Sequence, residues 1–250
     1  MRTSRRTLFA VSGALLAGVT LAGCGAGDGE EERAERSFAL PQDRLTVDVD
    51  NGSVDIRTAD VDRVEVTRWF TGRSIGGSAK ADWTMKDGAL TLRSKCGGIS
   101  LSCEARYEIR VPRGSAVKLD TRNGAVEAAG FTEALDLRSA NGAVTVRESS
   151  GPVKLRTNNG SLTTEQITSS RVTADSANGS VRLAFAEAPD EARASTHNGE
   201  IDLVVPRGTS YAVSTETKNG KASVDVPEDE SSRHRLSAKS HNRDITVRAE

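Results

Sequence analysis

From Leu45 onward the chain alternates apolar and polar positions in short runs, and an Asn-Gly pair breaks nearly every run. The pairs stand at Asn51-Gly52, Asn123-Gly124, Asn141-Gly142, Asn159-Gly160, Asn178-Gly179, Asn198-Gly199 and Asn219-Gly220. From Asn123 the spacings are 18, 18, 19, 20 and 21 residues. Aligned on the Asn, the flanks fall into columns. Six residues before it stand Leu45, Val117, Leu135, Val153, Val172, Ala192 and Val213; four before it stand Val47, Leu119, Leu137, Leu155, Ala174, Ala194 and Thr215. Three after it come Val54, Val126, Val144, Leu162, Val181 and Ile201, and five after it Ile56, Ala128, Val146, Thr164, Leu183 and Leu203. Within each flank the columns are two residues apart, the period of a strand with one face buried. Each repeat is therefore predicted to be strand, Asn-Gly turn, strand. Two residues before the Asn a hydroxyl recurs, at Thr121, Ser139, Thr157, Ser176, Thr196 and Thr217.

A degenerate copy occupies Asn242-Arg243, with Leu236, Ala238, Ser240, Ile245 and Val247 in the same columns. Asp87-Gly88, flanked by Trp83, Met85, Leu90 and Leu92, reads as a further copy, so Leu45–Val111 is predicted to share the architecture with longer turns. Asn and Gly both tolerate the positive φ that a tight reversal demands. Two arrangements satisfy the pattern. In a meander or sandwich the turns are antiparallel hairpins; in a solenoid each repeat is one coil and equivalent strands stack in parallel. The outward columns favour stacking. Lys118, Asp136 and Lys154 alternate in sign, as do Asp120, Arg138, Arg156 and Asp175 except at Arg138 beside Arg156, and like charges directly opposed are penalised. The predicted fold is thus all-β, a single-domain β-solenoid, parallel β-helix-like, with coils of ~18–23 residues. An antiparallel β meander or sandwich is the alternative.

Residues 1–40 follow another pattern. Arg2, Arg5 and Arg6 precede an apolar run, Leu8–Gly23, that is short for a bilayer span and reads as an export signal. It ends in Leu21-Ala22-Gly23-Cys24, which resembles a bacterial lipobox with Cys24 as the acylated residue; Ser4-Arg5-Arg6-Thr7-Leu8-Phe9 resembles a twin-arginine signal. Gly25–Arg36 is Gly-rich, then charged. The predicted organisation is a lipoprotein signal peptide at 1–23, a flexible tether at 24–40 and the β-repeat domain at 41–250.

Composition narrows the picture. With 4% aromatic and 36% hydrophobic residues the core must be thin and built from Val, Leu and Ile. A net charge of -1, with no basic patch interleaved by aromatics, argues against nucleic acid as a partner. Cys96 and Cys103, two thiols in an exported chain, are expected to form a disulfide that stabilises by ~2–3 kcal/mol through loop closure. His197 and His241 each precede a turn Asn and are placed two coils apart, about 10 Å at the spacing of stacked strands. No metal and no cofactor is expected. Asp48, Asp120 and Asp175 share a column with Arg138 and Arg156, and Asp202 and Asp225 lack an evident partner, so no catalytic residue is assigned.

The Asn-Gly-x-Val turns, the lipobox at Cys24, the pair Cys96 and Cys103, and Tyr107-Glu108-Ile109-Arg110-Val111-Pro112-Arg113-Gly114 together resemble the bacterial "putative adhesin" β-strand repeat family, over roughly Leu45–Glu250. The resemblance implies a β-solenoid and a cell-surface location. The function expected is that of a lipid-anchored protein on the extracellular side of the cell membrane, carrying a non-catalytic binding or scaffolding domain. Its partner would be a protein or a cell-wall glycan. An envelope-stress or signalling component with one protein partner is the alternative, and a carbohydrate-active enzyme the third reading. The candidate binding region is the irregular N-terminal part, at Trp69, Phe70, Arg73 and Trp83, with Thr71–Lys80 read as an inserted loop.

Overall fold

The computed structural model describes residues 31–250. The export signal and Cys24 lie outside them. Strands in the N-terminal third are β1 (Glu32–Phe38), β2 (Arg44–Asn51), β3 (Ser53–Ala59), β4 (Val64–Ile75), β5 (Ala79–Lys86), β6 (Ala89–Cys96) and β7 (Ile99–Pro112). The regular repeats follow in pairs: β8 (Ala116–Asn123) and β9 (Val126–Ala129), β10 (Leu135–Asn141) and β11 (Val144–Arg147), β12 (Val153–Thr157) and β13 (Leu162–Ile167). Next come β14 (Arg171–Ser176) and β15 (Val181–Phe185), then β16 (Glu191–Thr196) and β17 (Ile201–Val205). The last two pairs are β18 (Ala212–Thr217) with β19 (Ala222–Asp225) and β20 (Arg235–Ser240) with β21 (Ile245–Ala249).

These strands form two large sheets. One has 11 strands in the order β1-β4-β7-β3-β9-β11-β13-β15-β17-β21-β19; the other has 10, in the order β18-β20-β16-β14-β12-β10-β8-β2-β6-β5. Each Asn-Gly pair is a corner that carries the chain from the second sheet to the first. The predicted columns are the inward faces: Leu45, Val47, Leu119, Leu137 and Leu155 from one sheet, and Val54, Ile56, Val126, Val144 and Leu162 from the other, all lie in one buried cluster. Neighbouring repeats pair in parallel, Leu135 beside both Val117 and Val153. In the N-terminal third β2 continues this parallel pairing with β6 and β8, and β3 with β7 and β9, but the outer strands do not. Strands β1, β4 and β7 pair antiparallel, as do β5 and β6.

The predicted β-solenoid is therefore corrected. The molecule is an all-β sandwich of two open sheets with mixed parallel and antiparallel pairing, neither of them closed on itself. One antiparallel pair, in the 10-stranded sheet, arises where Asp87-Gly88 joins β5 to β6. Asp87 (φ 49°) and Gly88 (φ 77°) are both left-handed, and Lys86 pairs with Ala89 across them. That is the two-residue hairpin turn such dipeptides favour, not the repeat corner predicted there. A second correction concerns residues 24–40. The strand Glu32–Phe38 lies in register along β4, from Glu32 beside Phe70 to Phe38 beside Val64, where a tether was expected. Its charged residues suit an exposed sheet edge.

The Asn-Gly corners also do something other than the positive-φ reversal predicted for them. None of the turn Asn residues has positive φ, and of the turn glycines only Gly52 and Gly124 do. What recurs is stacking. Asn141 Nδ2 donates to Asn123 Oδ1 (2.8 Å), Asn159 to Asn141 (2.8 Å), Asn178 to Asn159 (2.9 Å) and Asn198 to Asn178 (2.6 Å). The amide ladder starts at Asn51, to which Asn123 donates (2.7 Å), and ends through Asn242 and Asn219. Glycine is needed because a Cβ at Gly142, Gly160, Gly179 or Gly199 would collide with the carbonyl of the preceding corner glycine. The hydroxyl column completes the corner. Ser139, Thr157, Ser176 and Thr196 donate to the carbonyls of Gly124, Gly142, Gly160 and Gly179 at 2.9–3.2 Å.

Candidate binding surface

Alternation along β4 divides the sequence candidates between two faces. Val64, Val66, Arg68 and Phe70 point inward and are buried. Phe70, 5% exposed, is thus a core residue rather than a contact. Trp69 points outward and is half-buried. Arg33 on β1 and Arg106 on β7 flank it in register, their guanidinium carbons 5.7 and 4.1 Å from the ring centroid. Both lie within the range of a cation–π attraction. The result is a row, Arg33–Trp69–Arg106, across three strands on the outer sheet face. Glu65 and Arg110 pair beside it at 3.1 Å.

Trp83 has a different role. Arg68 occupies an inward position on β4, 6% exposed. Its guanidinium lies 4.8 Å from the Trp83 ring centroid, pairs with Glu32 at 2.7 Å and donates to the Ala81 carbonyl. A buried arginine needs this many partners, and here they join the two sheets at their end. Arg73 lies further along β4, beside Ser102 of β7. Thr71–Lys80 is not a loop. It comprises the outer ends of β4 and β5 with a short turn at residues 76–78. Cys96 and Cys103 are joined by a disulfide linking β6 to β7. Sequence reasoning found Trp69 and missed both arginines beside it; their signal was register, which only the antiparallel pairing supplies.

The sheet faces elsewhere carry paired charges. Arg147 bridges Glu127 (2.9 Å) and Glu165 (2.8 Å), and Arg93 holds Asp48 at 2.8 Å. The hydrogen bond from Arg93 lowers the Asp48 pKa against the opposing effect of its desolvation. Asp60 and Glu191 are likewise lowered, chiefly by hydrogen bonds from Arg113 and Arg193. A general acid working at neutral pH needs the opposite direction. Among the described residues no group of three or more His, Cys, Asp or Glu stands together as a metal site.

The histidines hold a correction and a prediction. They are neighbours, not two repeats apart, because β20 inserts beside β16 and leaves β18 at the edge. The His197 and His241 rings stack with centroids 4.5 Å apart. Desolvation first, then the charges of His197, Lys218 and Lys239, lower the His241 pKa below 6.5. The unfolded chain therefore binds this proton at higher pH than the folded one, so stability is full above the unfolded value and falls as pH drops through it. Melting temperature should decline between about pH 7.5 and 5.5, and His241→Gln should decline less. Equal declines by thermal melting would refute the assignment.

These features define a two-sheet β-repeat domain whose recurring corner residues stack on one another and whose Arg33–Trp69–Arg106 row lies outside the repeats. A family model described as "Toastrack DUF4097" matches residues 32–250, and the chain belongs to that family. No curated protein matches it. Among solved structures, a "putative adhesin" from Bacteroides fragilis is 12% identical, with 88% of this chain and 98% of that one covered and a TM-score of 0.50. A "putative cell adhesion protein" from Clostridium sporogenes is also 12% identical, covering 88% and 100%, with a TM-score of 0.45. At such identity the likeness is one of fold.

Proposed function

We propose that this chain is a non-catalytic binding domain on the extracellular face of the cell membrane, held by a lipid on Cys24, and that it recognises one protein partner through the outer face of β1, β4 and β7. The observation carrying this reading is the row Arg33–Trp69–Arg106. Tryptophan and arginine are the residue types in which interface binding energy concentrates. A flat sheet face suits a protein surface better than the cleft that encloses a small ligand. The role fits an envelope-stress or signalling component. The test is capture from envelope extract by wild type and by Trp69→Ala. Loss of an interface hot spot costs at least ~2 kcal/mol, so the variant should lose about thirty-fold in affinity for the partner that wild type retains. Undiminished binding by the variant would sink the reading, and capture of wall glycan alone would replace it. Labelling with a palmitate analogue tests the anchor: Cys24→Ala retaining full label would refute it.

A further inference from the structure

Strands β4 to β7 run past the line of the Asn-Gly corners. Pairing of β6 with β2 ends at Leu92 beside Val49, and pairing of β7 with β3 begins at Arg106 beside Ser53. Residues 94–105 therefore project beyond the sandwich. The outer ends of β4 and β5 accompany them, with Thr71 beside Glu104, Ile75 beside Ile99 and Ala79 beside Cys96. The disulfide ties β6 to β7 within this tongue.

The tip has an unusual surface. Ile75, Ile99 and Leu101 are 60%, 68% and 57% exposed, the exposed large hydrophobic side chains among the described residues. Ile75 sits beside Ile99, and Leu101 follows two residues on, at the irregularity in the β4–β7 register. The charge nearest them is basic, with Glu104 and Asp82 set back along the strands. Residues 72–81 and 94–103 contain Arg73, Lys80 and Lys95 and no Asp or Glu, whereas the sheet faces mix signs. Apolar side chains with basic ones on the neighbouring strand ends match the interface of an anionic bilayer, where rings and chains enter about 5–10 Å and cations meet headgroups.

Chain direction points to the same occupant. Strand β1 runs antiparallel to β4 with Glu32 beside Phe70, so β1 begins at the end of the sheet nearer the tip. From Phe70 to Ile75 is five residues, about 17 Å of strand. From Cys24 to Glu32 is eight, a reach of at most about 29 Å. A lipid on Cys24 can therefore lie in the bilayer that the tip touches. We propose that the tip of the tongue is a membrane-contacting foot: Ile75, Ile99 and Leu101 enter the lipid interface, Lys80 and Lys95 meet anionic headgroups, and the Trp69 face is held upright just above the membrane. The proposal rests on the anchored reading given above.

The test reconstitutes the chain, produced and processed in a Gram-positive host, into vesicles containing phosphatidylglycerol with a photoactivatable acyl chain. Cross-linked peptides are then mapped by mass spectrometry. Labelling is expected in the segments 74–78 and 98–102. It should fall on the order of tenfold in Ile75→Ser/Ile99→Ser/Leu101→Ser and fall again in phosphatidylcholine alone. A Lys80→Glu/Lys95→Glu variant, altered only at exposed strand positions, should lose the preference for phosphatidylglycerol. Label confined to the acylated N-terminal peptide would overturn the foot while leaving the anchor standing. Intact mass without an acyl group, together with a labelled tip, would sink the anchor and leave the foot. Cross-links from the tip to protein rather than lipid would overturn the foot.

Discussion

Gly179→Ala is expected to lower the melting temperature by about 6–12 °C, from a cost of ~3 kcal/mol at 2–4 °C per kcal/mol for a chain of this size. The cause is distance, not dihedral angle. Gly179 has no positive φ, yet a Cβ there would lie well inside 3.0 Å of the Gly160 carbonyl oxygen and carbon. Those atoms are backbone, and neither corner can retreat. Gly160 lies between β12 and β13 and Gly179 between β14 and β15, paired in parallel on both sheets. Opening the gap would lengthen the Asn178–Asn159 amide bond (2.9 Å) and the bond from Ser176 to the Gly160 carbonyl (3.1 Å). The control is Gly208→Ala. Gly208 has φ +82° and nothing within 4 Å of the new Cβ, so it isolates the dihedral cost, about 1–2 kcal/mol. If Gly208→Ala were the more damaging change by thermal melting, close stacking would not be why these corners are glycine.

The same corners show how far the sequence could be read. The columns at Leu45, Leu119, Leu137 and Leu155 are inward, as alternation requires, and one-repeat pairing places Lys118 beside Asp136 as the charges suggest. Repeat order was not legible. Strands β6 and β7 lie outside β2 and β3, and β20 and β21 lie inside β18 and β19. Any column of small apolar residues can pair with any other, so periodicity cannot say which repeat neighbours which. The polar faces of β18 and β19 hint at an end position, because terminal repeats must meet water. The antiparallel tongue was legible in principle. Asp87-Gly88 between alternating runs is a hairpin signal, and its distance of 36 residues from both Asn51 and Asn123 made it look like a repeat. Arg68 at an inward position in β4 was the other trace, a polar residue out of phase that needed Glu32, Ala81 and Trp83 to explain it.

Leu155→Ala should be the second severe change, at the upper end of the 2–5 kcal/mol range for such truncations. Leu155 is fully buried on β12, with Leu137 beside it on β10 and Ala174 on β14. The next residue along that row, Ala194 on β16, is also small. No large neighbour on that side can swing into the space. Nor can the sheets close on it, because strands sit at a fixed ~4.8 Å spacing and the corner ladder holds their ends at Asn159 and Asn141 (2.8 Å). A cavity that cannot collapse carries both the lost transfer energy and the lost contacts. The position in the row matters as well. Each repeat touches only its neighbours, so a defect at β12 weakens the coupling between the two ends of the sandwich. Urea unfolding of Leu155→Ala should therefore show a lower midpoint and a broader transition than wild type. Val224→Ala, on the half-exposed edge strand β19, should cost less than about 1.5 kcal/mol and leave the slope unchanged. Equal losses at the two positions would mean that stability is set at the sheet ends rather than by continuity through the middle.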